Sequence, residues 1–555
     1  MSAVGGQAAV AVGLAAVLWA GAAAPPLSAQ DAELGRQIYD QGFLPSGQPL
    51  RGTVVGDVTL EGVAVSCAGC HRRSGFGTSE GGAYVPPVTA PWLFGADQPG
   101  RADLFRQLYQ EVQPGRVRAR LREPPERPPY TEETMVALLR TGRDPAGRLL
   151  DPVMPRYTSS DADLAHLVAY LKTLAAAPDP GADGEAVHFA TVVTPGVDPA
   201  QRRAMLEVME AYFRWKNADT LGQLQRPGHS PWHRDDFYRA LRRWVLHVWQ
   251  LEGPPERWAG QLAAFYAEQP VFALLSGLGA GDWRPVHELC ERERIPCLFP
   301  VTDRPVVSEV GVYSLYLSRG PVGEAEALGK HLREIPEPRR IVEVHRERNG
   351  QLAEALRRSL GDASARLETR VIAGDQQLTP AFWASLLPHG EPSALVSWLG
   401  DLDLEVLAGA PGAEDLAAVY LSYNLRGETL PAVPASLHGK VHLTFPYALP
   451  GHEAPRIYRV RGWLRARRLP TTHERLRLMT YFALSIADHA LGHLVENFSR
   501  DYFVENVEHE AESSLDPGVF PHLSLGPGQR FASKGCYVVR LTDGGVEAVS
   551  GWIVP

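Results

Sequence analysis

Beyond residue 186, short apolar runs alternate with amphipathic stretches along the chain. The apolar runs have the length of buried strands and cover residues 187–193, 271–275, 297–301, 341–344, 370–373, 394–398, 418–423 and 440–445. The amphipathic stretches carry apolar residues at helical spacing and cover residues 199–215, 258–268, 285–293, 323–333 and 473–498. This alternation of strand and helix patterns predicts an α/β domain with a mostly parallel sheet.

A different pattern opens the chain. Residues 1–29 contain no Asp, Glu, Lys or Arg, and residues 8–24 are almost wholly apolar. Pro25 and Pro26 then interrupt the segment, and Ala29 offers a small residue for cleavage. The pattern predicts a signal peptide over residues 1–29 and export to the periplasm, with an uncleaved signal that anchors the protein as the alternative. No later apolar run is long enough to span a bilayer, so we expect no membrane span after signal removal.

The rest of the chain divides at a stretch with the composition of a linker. Residues 30–174 are rich in Gly, Pro and Arg, whereas residues 175–186 (AAAPDPGADGEA) are typical of an exposed interdomain linker. The α/β pattern then occupies residues 187–555. The formal net charge is −9, so nucleic acid is not an expected partner.

Cys67, Cys70 and His71 form a Cys-x-x-Cys-His motif in the first of these domains. Two cysteines at this spacing can form thioether bonds to the vinyl groups of haem, and the adjacent imidazole can coordinate its iron. A thioredoxin-like redox pair is the alternative, but that site needs no adjacent His and follows a strand of a βαβ unit. No strand pattern of this kind precedes Cys67, so the motif predicts one covalently attached haem c.

The iron of such a haem needs a second axial ligand. Met154 lies between Pro152 and Pro155 in a loop, where the prolines exclude a helix in which a methionine would fill the core. A thioether ligand favours ferrous iron and raises the reduction potential. His166, on the helix pattern that follows, is the alternative ligand. We expect His71 and Met154 to be the axial pair.

These features resemble the class I monohaem cytochromes c. The family's opening helix, haem motif, methionine loop and closing helix are matched by residues 33–39, 67–71, 154–155 and 162–174, respectively. The resemblance implies a small all-α domain over residues 30–174, in which the first and last helices cross with Gly35 facing Tyr170.

The family resemblance also implies a partner for the His71 ring. A proline carbonyl after the haem motif commonly accepts the imidazole proton, and Pro86 and Pro87 are both placed to do so. One stretch departs from the compact family pattern: residues 98–129 are longer and more basic than a minimal cytochrome needs, with Arg116, Arg118, Arg120 and Arg122. A solvated insertion and a docking surface for a redox partner are both open for this stretch.

From residue 187 onward the chain resembles the type I periplasmic solute-binding proteins, the fold of branched-chain amino-acid receptors. The family's opening strand and loop, its glycine turn, its next strand and loop, and a late helix are matched by residues 190–196, 273–281, 295–303 and 481–491, respectively. The resemblance implies two α/β lobes that close over a small-molecule ligand, with hydrogen bonds from the loops at the carboxyl ends of strands.

By that resemblance, Gly279, Thr302, Asp303 and Trp398 face the ligand cleft. Amino-acid receptors usually offer a hydroxyl in the glycine turn, whereas this chain reads GLGAG at residues 277–281. No clear pair of sites for a carboxylate and an ammonium group is evident either. An amino acid or carboxylate, some other ligand, and a cleft that binds none and serves as a docking scaffold all stay open.

Three further cysteines lie outside the haem motif: Cys290, Cys297 and Cys536. In an oxidising compartment, a Cys290–Cys297 disulfide and two buried free thiols are both open, because sequence does not give the Cα separation. Cys536 is expected to pack in the core.

The predicted function is electron transfer by a periplasmic c-type cytochrome, whose second domain senses a ligand or docks a redox partner such as a dehydrogenase. The alternative is a solute receptor of the ABC-transporter type with an accessory haem domain. We expect an electron carrier rather than an enzyme, because Met154 as a ligand would close the iron site that a haem peroxidase keeps open. No Ser-His-Asp set, phosphate loop or zinc motif provides candidate catalytic residues.

Overall fold

The computed structural model describes residues 29–80, 83–95, 127–224, 241–307, 311–335, 340–374, 376–387, 390–427, 430–452, 455–494, 498–510, 518–542 and 545–555. The chain forms two compact units, which meet in sequence between Ala176 and Ala177. The signal segment before Ala29 and the basic stretch with Arg116, Arg118, Arg120 and Arg122 lie outside the described residues, so the proposals about them stay predictions.

The first unit is built mainly from helices. Its described helices are α1 (Ala29–Gln41), α2 (Cys67–His71), α3 (Ala90–Phe94), α4 (Glu132–Thr141) and α5 (Asp161–Leu171). Its described strands are β1 (Arg51–Val54), β2 (Val58–Glu61), β3 (Thr78–Glu80), β4 (Ala83–Val85) and β5 (Arg156–Tyr157).

The expectation of an all-α first domain needs correction, because β1, β2 and β5 form an antiparallel sheet in the order β2-β1-β5. Gly56 and Asp57 both have positive φ in the three-residue turn that pairs Val54 with Val58, and such a turn closes a hairpin. Strand β5 then pairs with β1. This pairing holds the end of the Met154 loop against the hairpin.

Helix α1 crosses helix α5 at Gly35. A Cβ atom at this position would lie 1.9 Å from the backbone oxygen of His166 and 2.8 Å from the Cβ of Tyr170. The Tyr39 and Tyr170 rings meet at the same crossing, with centroids 5.2 Å apart. The predicted contact between Gly35 and Tyr170 is confirmed, and only a residue without a side chain fits there.

The second unit contains two α/β lobes, as the alternating sequence pattern predicts. The first lobe has a parallel sheet in the order β11-β9-β6-β8-β10-β12, with β7 beside β6. Its strands are β6 (Ala186–Val193), β7 (Arg243–Gln250), β8 (Ala273–Leu275), β9 (Leu278–Gly279), β10 (Cys297–Leu298), β11 (Val301–Thr302) and β12 (Ser314–Leu315). The helices packed with them are α6 (Pro199–Leu224), α7 (Trp258–Glu268) and α8 (Arg284–Glu293).

The second lobe has its own sheet in the order β14-β13-β15-β16-β17-β18-β19, with the last two pairings antiparallel. The strands are β13 (Arg340–Arg346), β14 (Leu367–Ile372), β15 (Ser393–Ser397), β16 (Leu416–Ser422), β17 (Val441–Phe445), β18 (Tyr537–Thr542) and β19 (Gly545–Ala548). Its helices are α9 (Gly320–Glu334), α10 (Gly350–Leu360), α11 (Pro380–Leu386), α12 (Leu404–Ala408) and α13 (Tyr423–Arg426).

Three later helices return to the first lobe. They are α14 (Ile457–Ala466), α15 (Glu474–Gly492) and α16 (Arg500–Glu510), and they share its hydrophobic core. Each sheet is buried on both faces: in β6, Phe189 packs into one core and Ala190 into another, and in β13, Val342 and Ile341 divide in the same way. Burial on both faces explains why these strands are continuous apolar runs rather than alternating ones.

The chain therefore passes between the two lobes three times, after β12, after β17 and before β18. Two of these passages run side by side, since the Tyr316 amide donates to the carbonyl of Arg530 at 2.8 Å and the Ala532 amide donates to Tyr316 at 3.0 Å. The third is linked to them by the Ala448 amide, which donates to the carbonyl of Val519 at 2.9 Å. These three hydrogen-bonded passages are the hinge between the lobes.

The stretch with the composition of a linker is largely part of the second unit. The Asp179 amide donates to the carbonyl of Phe498 at 2.8 Å, and the Asp179 carboxylate accepts the Arg500 amide at 2.7 Å. Gly181 packs so closely on Phe272 that a Cβ would lie 2.1 Å from its backbone nitrogen. Residues 179–186 are therefore anchored in the second unit rather than forming a free spacer.

Candidate functional site

The Cys-x-x-Cys-His motif forms the short helix α2, so Cys67 and Cys70 lie one turn apart on the same face. The chain then reverses through Gly77, whose φ is +72° and where a Cβ would lie 2.1 Å from the backbone oxygen of Val85. The Gly77 amide donates to the carbonyl of His71 at 3.0 Å, which closes this reversal. The residues after β4 are thereby brought back beside the His71 ring.

The His71 ring is oriented by a backbone carbonyl. Its Nδ1 atom lies 2.9 Å from the carbonyl oxygen of Pro86, and a carbonyl can only accept, so Nδ1 carries the proton. Removal from water lowers the pKa of His71, which favours the neutral ring with an unprotonated Nε2. Of the two prolines that the sequence offered, the structure places Pro86 in this role.

The two cysteines of the motif differ in environment. Cys70 is exposed, whereas Cys67 is partly buried with its Sγ 4.0 Å from the Tyr157 hydroxyl. That hydroxyl donates to the carbonyl of Val65 at 2.9 Å. Burial raises the pKa of the Cys67 thiol to about 12, so Cys67 is a thiol, not a thiolate, at neutral pH.

Met154 is partly buried and packs against the same hydrophobic core as Cys67. Its loop is held by Arg156, whose guanidinium donates to the carbonyls of Met154 and, at 2.9 Å, Leu150. Asp151 adds a further bond by accepting the Val153 amide at 2.9 Å. These bonds give the loop a defined conformation in addition to the rigidity of its two prolines.

His166, the alternative ligand, lies at the helix crossing. Its Nδ1 atom is 3.2 Å from a carboxylate oxygen of Asp31 on α1. This pairing engages the imidazole between α1 and α5. The contact occupies Nδ1 and leaves Nε2 of His166 available, as the Pro86 contact does for His71.

The first unit has a donor set of the kind that a covalently bound haem requires. It comprises two thiols one helical turn apart, an imidazole whose tautomer leaves Nε2 free to coordinate, and a thioether in a pinned loop on the same core. Among the described residues there is no group of three or more His, Cys, Asp or Glu side chains that could hold a bare metal ion.

In the second unit, three of the four expected cleft residues come together at the carboxyl edge of the first-lobe sheet. Strand β11 pairs with β9 so that Thr302 lies beside Gly279. A Cβ at position 279 would lie 2.5 Å from the Trp283 ring and 3.1 Å from the Thr302 hydroxyl oxygen. Packing against Trp283 therefore accounts for this glycine without any ligand.

The polar groups of this edge are hydrogen bonded within their own lobe. The Asp303 carboxylate accepts the Gly281 amide at 3.1 Å, and the Thr302 hydroxyl accepts the Arg304 amide at 3.1 Å. Burial raises the pKa of Asp303, and the Gly281 bond and the Arg304 charge oppose that rise. The loop that carries Asp303 is thus ordered before any ligand arrives.

The expectation that Trp398, the fourth of these residues, faces the cleft needs correction. Its side chain is fully buried in a core of the second lobe, so its ring does not face the cleft. Its carbonyl instead accepts a bond from the Asn349 side-chain amide at 2.8 Å. Asn349 in turn accepts an Arg304 guanidinium contact at 3.5 Å, which joins the two lobes.

The gap between the lobes at this point is closed. It is lined by Asp303, Arg304, Pro305, Pro321, Val322, Asn349, Gln351, Leu352 and Leu425 and has a volume of about 10 Å³. A cavity of this size holds about one water molecule. An amino acid could enter only after the lobes had separated.

Comparison with protein-family models finds no match, and comparison with curated proteins finds none either. Solved structures are similar. A fatty acid ABC transporter substrate-binding protein from Thermomonospora curvata is 15% identical, with a TM-score of 0.47 over 68% of this chain and 95% of its own. A solute-binding protein from R. palustris in complex with benzoate is 13% identical, with a TM-score of 0.49 over 67% and 97%. The LivJ protein from Streptococcus pneumoniae, in complex with isoleucine, is 9% identical, with a TM-score of 0.47 over 67% and 100%. The assignment of two α/β lobes rests on the sheet topology itself.

Sequence reasoning missed the polar residues of the second lobe that face the first. Asn349 follows strand β13 and precedes helix α10, which is a position at the carboxyl edge of a parallel sheet. That placement was a usable signal once β13 and α10 were both recognised.

Within the described part of the chain, no helix combines the length and apolar character needed to cross a membrane.

Proposed function

We propose that the first unit carries one haem c, attached through Cys67 and Cys70 and ligated by His71 and Met154, and that the protein transfers electrons in the periplasm. The observation that carries this proposal is the 2.9 Å contact between His71 Nδ1 and the Pro86 carbonyl. Because the Pro86 carbonyl accepts the Nδ1 proton, Nε2 is the ring nitrogen left to coordinate a metal. A His that merely followed a pair of structural cysteines would need no such acceptor.

The chain's own residues would supply attachment, orientation and exclusion of water. Bound haem exchanges one electron at its iron. The pinned Met154 loop would present a soft thioether, which favours the reduced state. Exposure of Cys70 places this edge of the motif at the surface, where a redox partner such as a dehydrogenase could approach.

Haem attachment is tested by expression of the full chain with its signal in a host that attaches haem to exported cytochromes. We expect one haem per chain that survives denaturing electrophoresis and acid–acetone extraction, with sharp bands in the reduced spectrum. The Cys67→Ser/Cys70→Ser double variant should be colourless, whereas Cys536→Ser should keep the full haem content. A colourless or extractable wild-type protein would refute the proposal.

A second candidate function is solute reception by the second unit, with the haem unit as an accessory. The two-lobed fold with three hinge passages favours it, and the three similar solved structures are all substrate- or solute-binding proteins. Two of those structures are described with benzoate and isoleucine, so aromatic carboxylates and branched-chain amino acids are the first ligands to test.

The receptor function is tested by thermal unfolding of the full chain with each of these compounds. A ligand that binds only the folded state stabilises it by about 4 kcal/mol at 1,000 times its Kd, so millimolar additions should reveal micromolar binders. Because this gap holds about one water, the lobes must separate for a ligand to enter it, and the Asn349→Ala variant, which removes the Arg304 contact, should separate more easily and bind more tightly. If no compound stabilises either the wild type or the Asn349→Ala variant, a docking scaffold is favoured over a receptor.

A further inference from the structure

One stretch of the second unit, residues 456–468, is far more basic than the rest of the chain. It covers helix α14, reads RIYRVRGWLRARR, and contains six Arg and no Asp or Glu. The whole chain has a formal net charge of −9, so this stretch is a local reversal of sign. A basic stretch on an acidic protein favours a partner that is itself negatively charged.

The apolar side of α14 is already covered by the first lobe. Ile457, Val460 and Leu464 recur at helical spacing and are buried in the hydrophobic core of that lobe. The opposite side, which we call the α14 surface, faces solvent and consists of Tyr458, Arg459, Gly462, Arg465 and Ala466, with Arg456 and Arg468 at its two ends. A Cβ added at Gly462 would approach no neighbouring atom within 4 Å, and Ala466 is also small. A flat partner can therefore approach the arginines on either side of these two residues.

The six arginines differ in whether the protein neutralises them. Arg461 is paired, because its guanidinium donates to both carboxylate oxygens of Glu474 at 2.8 Å. Arg467 lies over the Trp463 ring, 3.9 Å from its centroid. Among the residues that the structure describes, no carboxylate lies within ion-pair distance of the other four, Arg456, Arg459, Arg465 and Arg468. The α14 surface therefore presents four guanidinium groups that the described part of the protein does not neutralise.

Aromatic rings with polar tips border the same surface. Trp215 of α6 is 40% exposed, and its ring centroid lies 6.5 Å from that of Trp463. The Arg467 guanidinium lies 5.6 Å from the centroid of the Trp215 ring and so contacts both tryptophans. Tyr458 is 64% exposed. Tyrosine and tryptophan are the side chains favoured where water meets lipid headgroups.

We propose that the α14 surface binds anionic phospholipid headgroups and holds the protein against a membrane surface. Guanidinium groups match the oxygens of phosphate in pairs. Because the apolar side of α14 is buried in the lobe, the helix would lie on the headgroups rather than insert between them. Repulsion of the remaining, acidic part of the molecule would orient α14 toward the bilayer. Such binding goes beyond electron transfer and solute reception and needs neither haem nor solute, so failure of either function leaves the test unaffected.

Membrane binding is tested by co-sedimentation of the full-length protein with vesicles of phosphatidylglycerol and phosphatidylcholine in equal parts, and with vesicles of phosphatidylcholine alone. We expect binding to the anionic vesicles only. The affinity should fall about tenfold or more between about 0.1 M and about 1 M salt, because salt screens exposed charges. Each arginine near an anionic surface strengthens binding roughly fivefold, so the Arg459→Gln/Arg465→Gln variant should bind about 25-fold more weakly.

The matched control is Arg257→Gln/Arg284→Gln, which removes the same charge elsewhere. These two arginines are exposed at the starts of α7 and α8, helices that pack on the face of the first-lobe sheet opposite to α14. This variant should bind nearly as well as the wild type, and unchanged far-ultraviolet circular dichroism should show that both double variants fold.

Three results would overturn the proposal. The first is equal weakening in the two double variants, which would show that net charge alone governs binding. The second is binding that survives both Arg459→Gln/Arg465→Gln and high salt, which is the behaviour of an uncleaved signal. The third is a wild type that does not bind anionic vesicles, and its binding to immobilised polyglutamate instead would assign the α14 surface to an acidic protein partner.

Discussion

His71 Nδ1 lies 2.9 Å from the carbonyl oxygen of Pro86, fifteen residues further along the chain. The contact depends on a reversal at Gly77, where positive φ and a close approach to Val85 exclude any side chain. The sequence identified the motif and two candidate prolines, but the choice between them depends on how the intervening loop folds back. A backbone acceptor of this kind leaves no mark of its own in the sequence, because any residue could supply it.

Met154→Ala should change the ligation of the haem iron and leave the fold of the first unit unchanged. If Met154 is the axial ligand, its removal should abolish the long-wavelength absorbance of the Met–Fe(III) bond and lower the reduction potential by on the order of 0.1 V. The measurement is a redox titration followed by absorbance. The matched control is His166→Ala, which should keep both the band and the potential. The reverse pattern would assign the ligand to His166, and unchanged values in both variants would refute both assignments.

Gly35→Ala should destabilise the first unit although alanine favours helices. Alanine in a helix interior usually stabilises by up to about 1 kcal/mol relative to glycine, but here its Cβ would overlap the backbone oxygen of His166 at 1.9 Å. Separation of α1 from α5 should cost about 3 kcal/mol or more, or prevent folding of the unit. Chemical denaturation followed by far-ultraviolet circular dichroism measures the change. Gln37→Ala, in the same helix, should stay within about 0.5 kcal/mol of the wild type.

The central strands of both lobes could be predicted because burial on both faces produces continuous apolar runs. Strand β7 was missed, since Arg243 and His247 interrupt its apolar pattern. The structure explains these residues: β7 pairs only with β6 among the described strands, so it is an edge strand with one side open to polar groups. The hairpin β1–β2 was also missed, because the side chains of β2 are exposed.

The cleft was harder to predict than the sheets. Thr302 and Asp303 follow a recognisable strand and do lie at its carboxyl edge. Trp398 follows an equally clear strand, yet its ring turns into the core. In a strand buried on both faces, hydrophobicity does not reveal which way the next residue points, so the position of a side chain just past the strand depends on tertiary packing.

Glu324 should contribute less to the stability of the second unit as the pH rises from about 4.5 to about 7. Glu324 is fully buried on α9, and burial raises its pKa from 4.5 to about 7, against opposing bonds from Ser422 and Thr444. Below pH 4.5 the carboxyl is neutral in both the folded and the unfolded chain. Between the two values only the unfolded chain ionises, so the Glu324 contribution to the free energy of unfolding should decrease by on the order of 3 kcal/mol across this range.

Denaturant titrations of wild type and Glu324→Gln at several pH values check this expectation. The glutamine is neutral at every pH, so the difference in free energy of unfolding between the two proteins should shift in favour of the variant by on the order of 3 kcal/mol as the pH rises through this window. His442 acts in the opposite direction: burial lowers its pKa from 6.5 to about 4, so between these values only the unfolded chain holds its proton and its contribution to stability rises with pH. The comparison with Glu324→Gln cancels that contribution, because both proteins contain His442. An identical pH profile for wild type and Glu324→Gln would contradict the assignment.

Arg475→Ala should loosen the closed arrangement of the lobes. Arg475 begins α15 in the first lobe, and its guanidinium lies 4.0 Å from the Tyr447 ring centroid and donates to the Tyr423 hydroxyl. A partly desolvated cation over an aromatic ring contributes about 1–2 kcal/mol, which is comparable to the difference between open and closed states of many two-lobed proteins. Faster amide hydrogen exchange should therefore appear at the facing edges of the lobes, in residues 303–305 and 349–352.

Two variants serve as controls. Arg475→Lys keeps the charge but not the planar stacking, so its exchange rates should lie between those of the wild type and Arg475→Ala. Arg465→Ala, at an exposed position on α14, should exchange like the wild type. If exchange at both edges is unchanged in Arg475→Ala, the closure is held by the Arg304–Asn349 contact and the hinge alone.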